Sequence, residues 1–242
     1  MLEEKRFRIA TMNYGLWNDG ITKYVEDEKA PAVLECWKQM LAHHNADVVA
    51  GQEYRPFFNR SNTMLSDQCL FSFLYPYQYS TTTGYGKNLV SKTVCTDYAV
   101  RSFSTAKTRQ YTVAHTVIRG TRVCILNAHC SLETDFSIHR KAEFEELIRI
   151  ASEEKHVILL GDFNAYSVSE FEIFQKAGYR IANGGEFGVL NTWTNFDKPS
   201  PSWENRAIDN IIVSEDIRIL NVAVDRRDLS DHSMLVADLV PE

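Results

Sequence analysis

Four apolar runs in this 242-residue chain stop on side chains that can hold a cation, move a proton or grip an anion. Ile9-Ala10-Thr11-Met12 runs into Asn13, and Val48-Val49-Ala50-Gly51 into Gln52-Glu53. Cys124-Ile125-Leu126 leads to Asn127-Ala128-His129, and Val157-Ile158-Leu159-Leu160 to Gly161-Asp162-Phe163-Asn164. Carboxylates bind hard cations and accept protons, amides donate to anionic oxygens, and imidazoles transfer protons near neutral pH. A buried strand ending on such a group delivers it to the edge of a sheet, where ligands of α/β proteins commonly bind. One such ending is how many strands enter a turn. Four are hard to assign to turns alone. Asp209 also interrupts the run Ala207-Ile208-Asp209-Asn210-Ile211-Ile212-Val213, and a carboxylate there needs a partner. Ser230-Asp231-His232 stands immediately before the last apolar run.

Each residue also has an ordinary reading. Asp162 and Asn164 suit a helix or turn cap, Asn13 a turn, and Glu53 a solvated strand end. His129 and His232 can be satisfied structural histidines, and Asn127 a structural hydrogen-bonder. His43 and His44 lie where the first helix should stop, and His115, His139 and His156 have no acid at metal-ligand spacing. Arg55, Phe57, Phe58 and Arg60 read as a solvated loop after Glu53, with substrate contact the sharper reading. Trp193 and Trp203 suit packing or base stacking equally, and Arg109, at a strand start, is placed to reach an anion.

The elements that must position these groups follow from periodicity. Strands are expected at Phe7–Met12, Asp47–Gly51, Asn88–Ser91, Tyr98–Ser104, Gln110–Ile118, Thr121–Asn127, His156–Leu160, Ala207–Val213, Ile217–Val224 and Ser233–Leu239. Helices are expected at Ala30–His44, Ser137–Glu154 and Ser169–Ala177, the second with Phe144, Leu147, Ile148 and Ala151 on one stripe. Tyr75–Tyr85 and Asn183–Arg206 read as long surface loops. Two groups of strands with helices between them predict two sheets packed face to face, helices outside. With no internal repeat or Pro/Gly-rich linker, residues 1–242 read as a single domain.

Composition narrows the classes. A hydrophobic fraction of 44% and an aromatic fraction of 12% argue for a packed core and against disorder. The net charge of −6 leaves no overall basic footprint for nucleic acid, although a bound cation can supply positive charge locally. Cys36, Cys69, Cys95, Cys124 and Cys130 are scattered, without a CxxC pair, so reduced thiols are expected rather than a zinc ribbon or disulfide framework. The start, Met-Leu-Glu-Glu-Lys-Arg, has no apolar signal segment, and no apolar run approaches the ~18 residues that span a membrane. The expectation is a cytoplasmic protein with no membrane attachment and no obvious protein partner.

Asn13, Gln52-Glu53, Asn127-Ala128-His129, Gly161-Asp162-Phe163-Asn164, Asp209 and Ser230-Asp231-His232, in that order, resemble the endonuclease/exonuclease/phosphatase superfamily. The resemblance spans nearly the whole chain. It implies a four-layer α/β sandwich with the site in a cleft between the two sheet edges, and a metal-dependent hydrolase of phosphate esters. In that chemistry Glu53 and Asn13 are the metal-ligand candidates, joined by Asp231, and their oxygen donors favour magnesium, with manganese an alternative. Asp162 would activate the attacking water and Asn164 donate to a phosphoryl oxygen. His232 would contact the phosphate, with Asp209 fixing its orientation. His129 would protonate the leaving oxygen or hold a phosphate oxygen, and Asn127 and Arg109 would bind substrate.

The abasic-site branch has Tyr where this chain has His129, so Asn127-Ala128-His129 is similar instead to the deoxyribonuclease, sphingomyelinase and deadenylase branch. No apolar hairpin for membrane insertion favours a sphingomyelinase, no signal segment favours a secreted nuclease, and no Lys/Arg-rich pocket favours an inositol phosphatase. Three readings stand: a phosphodiesterase on nucleic acid or oligonucleotides, a phosphatase of a small sugar-, lipid- or nucleotide-derived phosphate, and a non-catalytic binding module. The intact acids and histidines speak against the third. Substrate identity, endo or exo action, metal count and oligomeric state are not written in these motifs.

Overall fold

Side chains along a strand alternate between two faces, and the central strands here are apolar on both. In β1 (Phe7–Asn13), Phe7 and Ile9 face one core while Ala10 and Met12 face another. The same alternation runs through β2 (Val48–Gln52), with Val48 and Ala50 on one side and Val49 on the other. It recurs in β7 (Thr121–His129) and β8 (Val157–Asp162). A computed structural model of the chain, describing residues 5–17, 25–64, 70–105, 108–132, 135–193 and 207–242, shows what these double faces build.

Two six-stranded mixed sheets pack face to face. The first runs β11 (Ile217–Asp225), β12 (Met234–Pro241), β1, β2, β4 (Lys87–Ser91), β3 (Tyr77–Thr81). The second runs β5 (Cys95–Ser102), β6 (Gln110–Ile118), β7, β8, β10 (Asp209–Val213), β9 (Arg180–Ile181). Ile9, Val48, Leu89, Ile125, Ile158, Leu160, Ile211 and Leu235 fill the space between them. On the outside of the first sheet, α1 (Ala30–His44) buries Trp37, Met40 and Leu41. On the outside of the second, α2 (Arg140–Ala151) and α3 (Glu172–Lys176) bury Phe144, Leu147 and Phe174. Three cores between four layers make the expected α/β sandwich.

Local chemistry sets several ends. Pro31 pre-forms the first turn of α1, and Asn45 closes it in the left-handed conformation with its N–H on Leu41 O at 2.8 Å. The third expected helix is instead a 3₁₀ turn, Val168–Phe171, followed by α3. Part of the expected Tyr75–Tyr85 loop is a strand, β3. It lies at a sheet edge with half-buried or exposed Tyr, Gln, Ser and Thr side chains, so its sequence lacks an apolar signal. Tyr79 is its anchor, with its hydroxyl accepting from Cys95 N–H and donating to Cys95 O. The Asn183–Arg206 segment forms β-bridges at Gly185–Gly188 and Trp193–His232, and its residues 194–206, with Trp203, lie outside the described part.

Register is what positions the site. In the second sheet His129 pairs with Asp162, and Asp162 with Asp209, so three strand ends lie in one row. In the first sheet Asn13 pairs with Gln52 and Gln52 with Lys87, making a second row. Gly161 permits the first row. Its φ is +140°, and a Cβ there would sit 2.0 Å from Ala128 O, so only glycine lets β8 lie beside β7.

Candidate active site

Along the inner face the side chains change from apolar to polar toward the strand ends. First comes a layer of struts. Gln52 Nε2 donates to Thr11 Oγ1 at 3.1 Å and to Asn127 Oδ1 at 2.7 Å. Asn127 Nδ2 in turn donates to Gly51 O and Asn88 O, tying the second sheet to the first. Asn127 is fully buried and both ends of its amide are engaged. The expected substrate contact is therefore corrected to an inter-sheet strut.

One step further out lie the chemical groups. Asp162 is buried at the end of β8, with Oδ2 accepting from Asn13 Nδ2 at 2.9 Å and Oδ1 from Asn164 N–H at 2.9 Å. Burial pushes its carboxyl well above the usual range, His232 opposes that, and Asp209 reinforces it. Asn13 also donates to Glu53 Oε1 at 3.3 Å, while its own Oδ1 accepts from Gly15 N–H. Asn13 thus turns its NH₂ toward the two carboxylates and its oxygen toward the Gly15 backbone, tying Glu53 to Asp162.

Glu53 and Asn164 both sit at left-handed φ, 51° and 50°, a conformation that is costly for Glu and readily adopted by Asn. Burial holds Glu53 above the ordinary carboxylate pKa, and the charge of Asp231 adds to that. Two carboxylates converging at the cleft mouth fit a hard divalent cation with oxygen ligands. Asp231 is fixed by Ser230, whose hydroxyl donates to Asn13 O at 2.8 Å and reaches Asp231 Oδ1 at 3.2 Å. Asn164 donates to Cys130 O at 2.9 Å.

His232 and Asp209 meet as the buried carboxylate required, Nδ1 to Oδ2 at 2.9 Å. Burial alone would lower the imidazole pKa, but Asp209, helped by Asp162 and Asp231, overrides it and raises the value to about 10. The opposite nitrogen, Nε2, lies 3.8 Å from Asp162 Oδ2. His129 has the reverse character. Burial, then Arg109 and Lys87, hold its pKa well below the ordinary value. Arg109 NH1 donates to His129 Nε2 at 2.8 Å, and since a guanidinium only donates, the ring is neutral with Nε2 as acceptor. A protonated general acid at His129 is therefore not what this arrangement supplies. It supplies an aimed guanidinium, packed over the Tyr85 ring at 4.7 Å.

Sequence reasoning missed Lys87. It is fully buried in the first-sheet row beside Arg109, and its Nζ donates to Gly84 O. Burial, reinforced by Arg109, lowers its pKa to about 7. The register partner Gln52 was the available signal, but it needs the fold to be read. Also missed was the scaffold behind the cleft. Buried Arg140 grips both oxygens of Glu170 at 2.8 Å, and Glu143 accepts from Ser131 N–H and hydroxyl, fixing the chain after His129. Of the doubtful loop residues, Phe58 is core against Trp17, and Arg60 pairs with Glu26.

The family model described as "Endonuclease/Exonuclease/phosphatase family" matches residues 26–232. No curated protein matches the chain. Among solved structures it is similar to D. rerio TDP2 complexed with single strand DNA product, at 17% identity, TM-score 0.75, 97% of this chain and 98% of that one. It is similar to an endonuclease/exonuclease/phosphatase from Beutenbergia cavernae, at 15% identity, TM-score 0.72, 98% and 72% covered. The human Nocturnin catalytic domain follows at 16% identity, TM-score 0.70, 98% and 94% covered. These likenesses show the fold. With the family model spanning most of the chain, the protein belongs to the endonuclease/exonuclease/phosphatase family of phosphoester hydrolases.

Proposed function

We propose that the chain is a divalent-cation-dependent phosphodiesterase acting on nucleic acid or oligonucleotides by water attack. The observation that carries this is the convergence of Glu53, Asp162, Asp209, Asp231 and His232 with Arg109 at one end of both sheets. Glu53 and Asp231 would hold magnesium or manganese, which when bound neutralises phosphate charge against the incoming nucleophile. Asp162, a stronger base for being buried, takes the proton of the attacking water. Protonated His232 and Arg109 would stabilise charge that grows on the phosphate oxygens. Asn164 has a second amide hydrogen for the same purpose. A nucleic-acid substrate is supported by the structural likeness to a TDP2 complexed with single strand DNA product. The described cysteines form no disulfide, which suits a cytoplasmic protein. No helix among the described residues is long and apolar enough to cross a membrane.

The Lys87–Arg109 pair favours a second reading, a phosphatase of a small phosphate. A monoester carries more negative charge than a diester, and Arg109 backed by the buried Lys87 gives that side of the cleft the positive potential to favour it. Hydrolysis of bis-p-nitrophenyl phosphate against the monoester, with magnesium or with excess EDTA, tests both readings. The main reading expects the diester to be the better substrate and EDTA to abolish turnover, with Glu53→Ala weakening metal binding and activity together. Undiminished turnover in EDTA overturns it.

A further inference from the structure

The outer face of the second sheet carries a cluster the cleft does not use. His115 on β6 and Cys124 on β7 are direct cross-strand partners, and both point away from the inter-sheet core toward the helix layer. Glu154, in the turn after α2, reaches back to them. One ligand-capable atom from each of His115, Cys124 and Glu154 lies within 4.8 Å of the others. His115 Nε2 stands 3.1 Å from Glu154 Oε1, close to the roughly 3.3 Å between neighbouring N and O ligands of a tetrahedral zinc.

A second observation points to a ligand. Both ring nitrogens of His115 are shut off from solvent, and neither makes a hydrogen bond of acceptable geometry. The 3.1 Å approach to Glu154 is thus a contact without a well-aimed N–H. Such a nitrogen costs free energy unless something accepts its lone pair or proton. On the other side of the ring, Nδ1 has Asp97 Oδ2 as its nearest carboxylate oxygen, at 3.8 Å and beyond hydrogen-bond reach.

We propose that His115 Nε2, Cys124 Sγ and Glu154 form a zinc site, with water completing the tetrahedron. A thiolate, an imidazole and a carboxylate select zinc over magnesium, so this site and the cleft take different ions. The two are separate. Five residue steps along β7 separate Cys124 from His129, about 17 Å at 3.4 Å per step, and the two lie on opposite faces. The ion would pin the turn between α2 and β8 to the β6–β7 hairpin.

Cobalt(II) titrated into the full chain, with excess magnesium occupying the cleft, reads the site directly. One equivalent should produce a thiolate-to-cobalt charge-transfer band that zinc then bleaches. Cys124→Ser should lack the band. Glu154→Gln, at a partly exposed position that folding tolerates, should weaken zinc by roughly tenfold or more while leaving magnesium-dependent hydrolysis unchanged. No band at stoichiometric cobalt, or a band intact in folded Cys124→Ser, overturns the assignment. If Cys124→Ser does not fold, Glu154→Gln decides alone, and an unaltered zinc affinity rejects the site.

Discussion

The two histidines of the cleft are the same residue type, both buried, and are held in opposite states. His232 sits in an acidic half with Asp209, Asp162 and Asp231, and is protonated up to about 10. His129 sits in a basic half with Arg109 and Lys87, and is neutral. Burial lowers both pKa values, so neighbouring charge alone separates them. One cleft therefore holds an imidazolium that can carry charge and an imidazole that can only accept and orient. Pairs of groups pushed apart in this way mark acid, base and electrostatic roles.

The acidic half should break most severely. Asp162→Asn removes the base, and turnover on a diester should fall by roughly 10²–10⁴. It should also erase the acidic limb of the pH–rate profile, which Asp162 holds well above the usual carboxylate range. A limb that survives in this variant assigns it to another group.

Asp209→Asn comes next. It keeps the shape and removes the charge, so turnover should fall by roughly 10²–10³ while metal affinity changes little. His232→Ala should cost a similar factor, and the double variant little more than either, because the two act as one unit. Additive losses would mean they work separately. The sign of the pH effect follows from the raised pKa. The ion pair contributes to stability in full below 6.5, the ordinary histidine value, and progressively loses that contribution as pH rises through about 10. Urea unfolding at stepped pH should show this decline in wild type and a flatter profile in Asp209→Asn.

In the basic half the effects should be smaller. His129→Gln keeps an acceptor for Arg109 and should retain activity within roughly tenfold, whereas His129→Phe, which cannot orient the guanidinium, should lose more. Equal and severe losses in both would restore a proton-transfer role to His129. Lys87→Met, close in volume, should change diester hydrolysis least and raise KM mainly for a monoester. An equal effect on both substrates would remove the reason to link Lys87 to a terminal phosphate.

Particular residues show what could be read before folding. Asn13, Glu53, His129 and Asp162 were legible because each follows an apolar run, and a strand buried on two faces advertises its end. Asp209 was legible because burial of an unpaired carboxylate is costly, and the partner it demanded proved to be His232. The helix Ala30–His44 was legible end to end because Pro31 and Asn45 mark its limits by local backbone preference. β3 was not, since an edge strand has no apolar face to betray it.

The sequence by itself determined the layer architecture and the identity of most cleft residues, because alternation and strand endings are local properties of the chain. Only the tertiary structure decided roles. It turned Asn127 into a strut, tied Glu53 to Asp162 through Asn13, set His129 and His232 to opposite protonation, and brought Lys87 into the site. It also joined His115, Cys124 and Glu154, whose spacing along the chain carries no metal-binding pattern. The reason is physical: charge, desolvation and hydrogen-bond geometry depend on distance through space, and cross-strand register sets those distances between residues far apart in sequence.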